Sequence, residues 1–238
     1  MAEPISRELI DRYTAELSGL SDELKHDLLD TLKYVDLSDI ASARNEILTI
    51  MEMYLAPYTD MAAQIAATFY EGLRATQVRG AYTALVDSGR DAAGTEGAVR
   101  AIMQTLVDGG SEDEFYNKLV SRAGYEMNRA AGECTMRNIK RDPKKPRFAR
   151  VPQMTYTQYT PWEDGGTHNK YLATHGTCQF CEMLASRGWV YYSKETAGEG
   201  NHYHDGCNCK IVPSWNKAGV QGYDPDYYLE RYKAGFEE

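Results

Sequence analysis

Four of the five cysteines fall between residues 178 and 209, as Cys178-Gln179-Phe180-Cys181 and, after 22 intervening residues, His204-Asp205-Gly206-Cys207-Asn208-Cys209. A C-x-x-C turn sets two thiolates on one side of a tight loop. That suits two corners of a tetrahedron with Zn–S bonds of about 2.3 Å. His204 and Cys207 repeat the spacing, and Gly206 lets the chain turn sharply between them. On an extended strand Cys207 and Cys209 point to the same face, so both can also bind. A closed structural zinc site takes four ligands. Five candidates therefore compete for four places: the preferred set is Cys178, Cys181, His204 and Cys207, with Cys209 as the substitute. An odd cysteine count, mostly crowded into one short segment, favours metal over disulfides in a reducing compartment. A redox C-x-x-C wants a βαβ setting that this sequence lacks. The fifth cysteine, Cys134, occupies an apolar position in a helical stretch and reads as a core thiol.

A catalytic zinc would need an open position and a neighbouring base. The residue two after His204 is Gly206, not the glutamate of a deaminase pattern, and H-E-x-x-H is absent. No P-loop and no G-x-G-x-x-G occurs. His175, His202 and Asp205 lie near the ligands in sequence and read as surface or outer-sphere groups. The expectation is a structural zinc and no enzyme activity. Metal binding supplies folding free energy on the order of 10 kcal/mol, which a small module with few aliphatic side chains needs.

The elements that must position these ligands change character along the chain. Leu24, Leu28, Leu29 and Leu32 recur at helical spacing behind Ser21, which reads as a helix start. Ser38 reads as the cap of a second helix through Ile47, Ile50 and Met51, broken at Pro57. Thr59-Asp60 restarts a third through Met61, Ile65, Phe69 and Leu73. Gly94-Thr95 opens a fourth, ended by Gly109-Gly110, and Ser111 through Glu114 forms a capping box before a long fifth helix. Pro143 and Pro146 stop the helical pattern. Beyond them Val151–Tyr159 alternates and is rich in Thr and Tyr, and Trp189–Tyr192 is a second strand candidate. The fold class expected is α+β: an all-α helical domain over 1–140, then a small β-rich zinc-stabilised module over 141–238.

Charge follows the same division. Residues 1–135 carry 12 basic and 23 acidic side chains, and residues 136–238 carry 14 and 12. The acidic half repels nucleic acid at long range. Any DNA contact belongs to the basic run Arg137, Lys140, Arg141, Lys144, Lys145, Arg147 and Arg150, with Tyr156, Tyr159 and Trp162 nearby. The plainer reading of that run is a solvated helix end whose cations complement the helix dipole. No apolar stretch approaches the roughly 18–20 residues a bilayer crossing needs. The first residues, Met1-Ala2-Glu3-Pro4, lack the features of a signal peptide, so a soluble protein made in a cytosol is expected.

Ala149-Arg150-Val151-Pro152, Cys178-x-x-Cys181, Ala185-Ser186-Arg187-Gly188 with Val190-Tyr191, His204-x-x-Cys207-x-Cys209 and Ile211-Val212-Pro213 together resemble the MuF-like minor head proteins of tailed bacteriophages. The resemblance is strongest to the versions in phages of actinobacteria, and it covers roughly residues 145–215. It implies a virion protein present in few copies, contacting the portal protein and the capsid interior and assisting head morphogenesis. Some members carry an added toxin or protease domain. This chain ends about 25 residues past its last motif, so none is expected here. The alternative functions are a zinc-stabilised DNA-binding module or, third, a zinc-dependent nuclease or toxin effector.

Overall fold

A computed structural model describes residues 4–152, 154–161, 167–173, 179–191, 209–216 and 218–235, the segments 154–161 and 167–173 by their backbone alone. Among these the chain runs α1 Arg7–Leu32, α2 Ile40–Gln77, α3 Ala92–Val107, α4 Glu112–Arg141, β1 Arg147–Val151, β2 Met154–Pro161, β3 Thr167–Ala173, α5 Gln179–Ser186, β4 Lys210–Ser214 and α6 Pro225–Ala234. The class is α+β, mostly helical, as the periodicity predicts.

The first helix begins earlier than Ser21. Ile10, Tyr13, Leu17, Leu20, Leu24, Leu28 and Leu32 are all buried, so one apolar stripe runs the whole length of α1. Ser21 lies on that inner face instead of capping it. A methyl group added at Gly124 of α4 would stand 3.4 Å from the Ser21 Oγ, so small residues on both sides let the two helices approach.

The second helix is not broken at Pro57. It runs through the proline to Gln77. Pro57 lacks the N–H that would bond the Met53 carbonyl. Both residues are exposed, so water can take that carbonyl. The expected restart at Thr59 is the middle of the same helix, where the threonine hydroxyl donates to the Leu55 carbonyl at 2.7 Å. The cap is Asp39 and not Ser38: its carboxylate accepts the Ala41 and Ser42 N–H groups at 3.0 and 3.3 Å. Packing explains the tolerance, because Ile47, Met51, Leu55, Ala62, Ala66, Tyr70 and Leu73 are all buried on the opposite face. Tyr13 of α1 stacks on Phe69 of α2, ring centroids 4.2 Å apart.

Asp91, three residues before the expected start, caps α3 by accepting the Gly94 N–H at 2.9 Å. Ser111 caps α4 as expected, accepting the Glu114 N–H at 3.1 Å. Between α2 and α3 the chain is extended and strapped down by side chains. Glu71 accepts the Ala84 N–H at 2.7 Å. The Asn138 amide pairs with both the N–H and the carbonyl of Leu85, each at 2.8 Å.

Helix α4 ends where the prolines require, at Arg141. The single strand expected over 151–159 is divided at Pro152. β1 pairs antiparallel with β4, with Ala149 opposite Val212 and Arg150 opposite Ile211, while β2 and β3 form a separate antiparallel pair. Of the expected strand at 189–192, residues 189–191 are described, and among them Tyr191 makes a bridge, to Phe148. Buried residues from Ile5 to Tyr228 form one continuous core. The N-terminal segment itself pairs with the far end of the chain, Ile5 donating to the Gly219 carbonyl at 2.8 Å and accepting the Gln221 N–H at 3.0 Å. No described helix is long and apolar enough to cross a membrane.

Candidate metal centre

Two of the five expected ligands fall within the described residues. Cys181 sits in the first turn of α5, and Cys209 immediately precedes β4. Their residues are 2% and 1% exposed. Cys178, His204 and Cys207, with His175, His202 and Asp205, lie outside the described residues. The second cysteine of the C-x-x-C is thus carried on a helix, whereas the spacing alone suggested a plain turn. Among the described residues no three His, Cys, Asp or Glu side chains are grouped to hold a metal.

The surroundings of the two cysteines are rigidly built. The Tyr191 hydroxyl donates to the Leu184 carbonyl at 2.9 Å, and the Tyr223 hydroxyl donates to the Ala185 carbonyl, so two tyrosines hold the C-terminal turn of α5. Glu182 accepts from Arg231 of α6 at 2.6 Å. Gly188, at φ +59°, makes the sharp exit from α5 that a side chain would strain. Burial, with Tyr228, Tyr191 and Cys209 adding to it, pushes the Tyr223 hydroxyl far above its ordinary pKa. Burial and then Cys209 do the same to Tyr228. The Tyr228 hydroxyl is buried and has no hydrogen-bond partner among the described residues. Two buried thiols, one at the start of α5 and one at the entry of β4, are soft donors of the kind that suit a thiolate-ligated zinc. Cys178, Cys181, His204 and Cys207 or Cys209 would hold the ion, which would cross-link α5 to the entry of β4.

Of the segments that carry the resemblance, three that the structure describes come together. Residues 149–151 and 211–213 are paired strands, and Tyr191 bridges to Phe148 with the rings 5.4 Å apart. By contrast Cys134 is a core thiol, fully buried in α4, bonded to the Ala63 and Leu85 carbonyls and pushed up to about 11 by burial.

The basic run does not form one surface. Arg150 is fully buried in β1, and Arg137 is paired with Asp87. Lys140, Arg141, Lys144, Lys145 and Arg147 are exposed around the turn that follows α4.

At the root of that turn is a group the sequence reading missed. Asp142 is fully buried and accepts from the Lys144 N–H at 2.8 Å, Arg74 Nε at 2.8 Å, Trp215 Nε1 at 3.1 Å and the Tyr70 hydroxyl at 3.1 Å. Burial opposes its ionisation, but these four donors outweigh it and hold the carboxyl below its ordinary pKa. Its partners are 68 to 73 residues away apart from Lys144, so no local motif announces it.

The profile of the VG15 protein family matches residues 4–156 and 170–235, nearly the whole chain. The chain belongs to that family, a family of viral proteins, which makes it a phage protein. No curated protein and no solved structure gives a significant match.

Proposed function

We propose that this chain is a non-enzymatic minor head protein of a tailed phage, associated with the portal and the capsid interior and assisting head morphogenesis and DNA packaging or ejection. One observation carries the reading: of the segments that resemble minor head proteins, residues 149–151 and 211–213 are paired and Tyr191 bridges to Phe148 beside them, within a chain whose phage-family match covers residues 4–156 and 170–235. Residues 1–140 supply the portal contact through helix faces. Residues 141–238 are stabilised by one structural zinc on four of Cys178, Cys181, His204, Cys207 and Cys209. The test is the position of the protein in an assembled particle, by labelled electron microscopy. Density at the portal vertex is expected, and absence from the particle or an even distribution over the shell overturns the reading.

A second reading, contact with packaged DNA, draws on the five exposed cations around the turn after α4. Charge reversal of Lys144, Lys145 and Arg147 should then abolish DNA retention and flatten its salt dependence. Wild-type protein that does not shift DNA at low salt would reduce the segment to a solvated helix end.

A further inference from the structure

We infer that the cationic surface beyond α4 is built from two chain segments, 79–83 and 140–147, and grips the sugar–phosphate backbone of duplex DNA without reading its sequence. The inference rests on the DNA reading above and adds to it Arg79 and the manner of contact. Six exposed cations belong to the surface: Arg79, Lys140, Arg141, Lys144, Lys145 and Arg147. Two side chains join the segments. Arg74 reaches both Asp142 and the Gly80 carbonyl, at 2.8 and 3.0 Å, and Arg141 reaches the Thr83 carbonyl at 3.4 Å. Arg79 stands one residue before Gly80, whose φ of +102° turns the chain away from α2. The turn after α4 is fixed as well. The Lys144 and Lys145 N–H groups donate to the carboxylate and the carbonyl of Asp142 at 2.8 and 3.1 Å, and Lys145 takes φ +46°.

Charge separates this surface from a helix end that merely attracts cations. Elsewhere exposed cations have acids beside them: Arg12 has Glu8, Lys25 has Asp22 and Lys118 has Glu114. None of the six has a carboxylate partner among the described residues, and the one acid in the two segments, Asp142, is buried and matched by Arg74. Helices α2 and α4 both end here, and each C-terminus supplies about half a negative charge. Glu71, one turn before Arg74 and bonded to the Ala84 N–H, brings the opposing charge to about two. Six cations exceed that by about four. The surroundings then choose the partner. A protein interface has an apolar centre, and neither segment presents a large exposed apolar side chain. Single strands are held by stacking bases on aromatic rings. The two rings here are half-buried and already packed: Arg74 covers Tyr82 at 4.7 Å, while Trp215 meets Tyr70 edge-on and bonds Asp142. Unpaired positive charge on a fixed turn remains, which suits the dense phosphates of a duplex and carries no means of reading bases.

The experiment titrates the full chain into labelled duplexes of unrelated sequence and follows anisotropy across a salt series, with thermal melts to verify folding. With about four phosphates neutralised, log K should fall against log salt with a slope of about −3.6, roughly 150-fold between 50 and 200 mM. All sequences should bind alike. Arg79→Ala and Lys144→Ala, one from each segment, should each reduce the slope by about 0.9, and Arg79→Lys should restore it. Lys25→Ala, which removes the same charge from a paired site on α1, should leave the slope unchanged. A slope that Lys144→Ala reduces and Arg79→Ala does not confines the contact to the basic run, which overturns the inference and leaves the DNA reading standing. An equal effect of Lys25→Ala makes net charge the cause and overturns the surface. Tighter binding of single strands than of duplex, or of one duplex sequence over the others, overturns the manner of contact. No binding of duplex by the wild type at 50 mM salt removes both the inference and the DNA reading.

Discussion

Replacing Asp142 with alanine tests whether the buried carboxylate joins the helices to the strand region. The side chain is fully buried, its partner Arg74 is 5% exposed, and they meet at 2.8 Å. Removing one member of a buried ion pair strands the other charge and costs about 3–5 kcal/mol. The Arg74 guanidinium keeps one contact, to the Gly80 carbonyl at 3.0 Å, and its face lies 4.7 Å from the Tyr82 ring. The loss should therefore sit near 3 kcal/mol. With a denaturant slope of about 3 kcal/mol/M, the urea midpoint at pH 7 falls by about 1 M. The double variant Asp142→Ala with Arg74→Met should be less damaged than the sum of the two, because no charge is left behind. Acid provides an independent axis. The folded pKa lies below the unfolded value of about 3.9, so the native state binds fewer protons in the interval between them. The stabilisation is fully present above about pH 4 and is lost as the pH falls through the folded pKa. Wild type should lose more stability over that interval than Asp142→Asn, whose side chain does not titrate. A loss of under about 0.5 kcal/mol in Asp142→Ala, the size of an ordinary surface change, would refute the argument.

Three further outcomes are expected. Protein purified without chelator should contain one zinc per chain, lost in Cys178→Ser and Cys181→Ser together with the order of residues 145–215 but not the helical circular dichroism. Elemental analysis finding no metal would sink the zinc centre, and comparing Cys207→Ala with Cys209→Ala identifies the fourth ligand. The Cys134 thiol, pushed up to about 11, should be inert to a thiol reagent at pH 8 until the protein unfolds, and modification of the native wild type that vanishes in Cys134→Ala would contradict its burial. Pro57→Ala should raise stability by up to about 3 kcal/mol by urea titration, since it restores a helix N–H on an exposed face; a fall would mean that packing depends on the proline.

Helical periodicity was enough to read where apolar faces lie, and it misplaced the helix ends for an identifiable reason. At Ser21 and Thr59 a polar residue that often caps helices sits inside one, because burial of the long stripes in α1 and α2 outweighs the local preference. Helix α6 was missed, although Asp224 before Pro225 is a cap ahead of a first-turn proline, a signal that could have announced it. The thiol pattern singled out Cys181 and Cys209, both of which are buried, and it set Cys134 apart as a core thiol, which its full burial in α4 bears out. Asp142 was not legible. Its meaning depends on Tyr70, Arg74 and Trp215 arriving from α2 and from beyond β4, and only the tertiary fold supplies them.

Strand β4 relates the candidate metal centre to the buried carboxylate. Cys209 immediately precedes it and Trp215, which donates to Asp142, immediately follows. Five residues of strand span about 16 Å, and all five are buried and paired to β1. Along the way Lys210 reaches Asn128 of α4 at 3.1 Å, and Ser214 reaches Gln77 at the end of α2 at 3.1 Å. A strand held on both sides cannot easily be displaced at one end without moving the other. An ion bound at Cys209 would therefore restrain more than its own loop: it would fix the origin of the strand that delivers Trp215 to the joint between α2 and α4. The carboxylate holds the strand's exit, and at its entry Lys210 is paired to Val151 of β1 and reaches α4. A structural metal there would hold the entry of the strand whose exit the carboxylate already fixes.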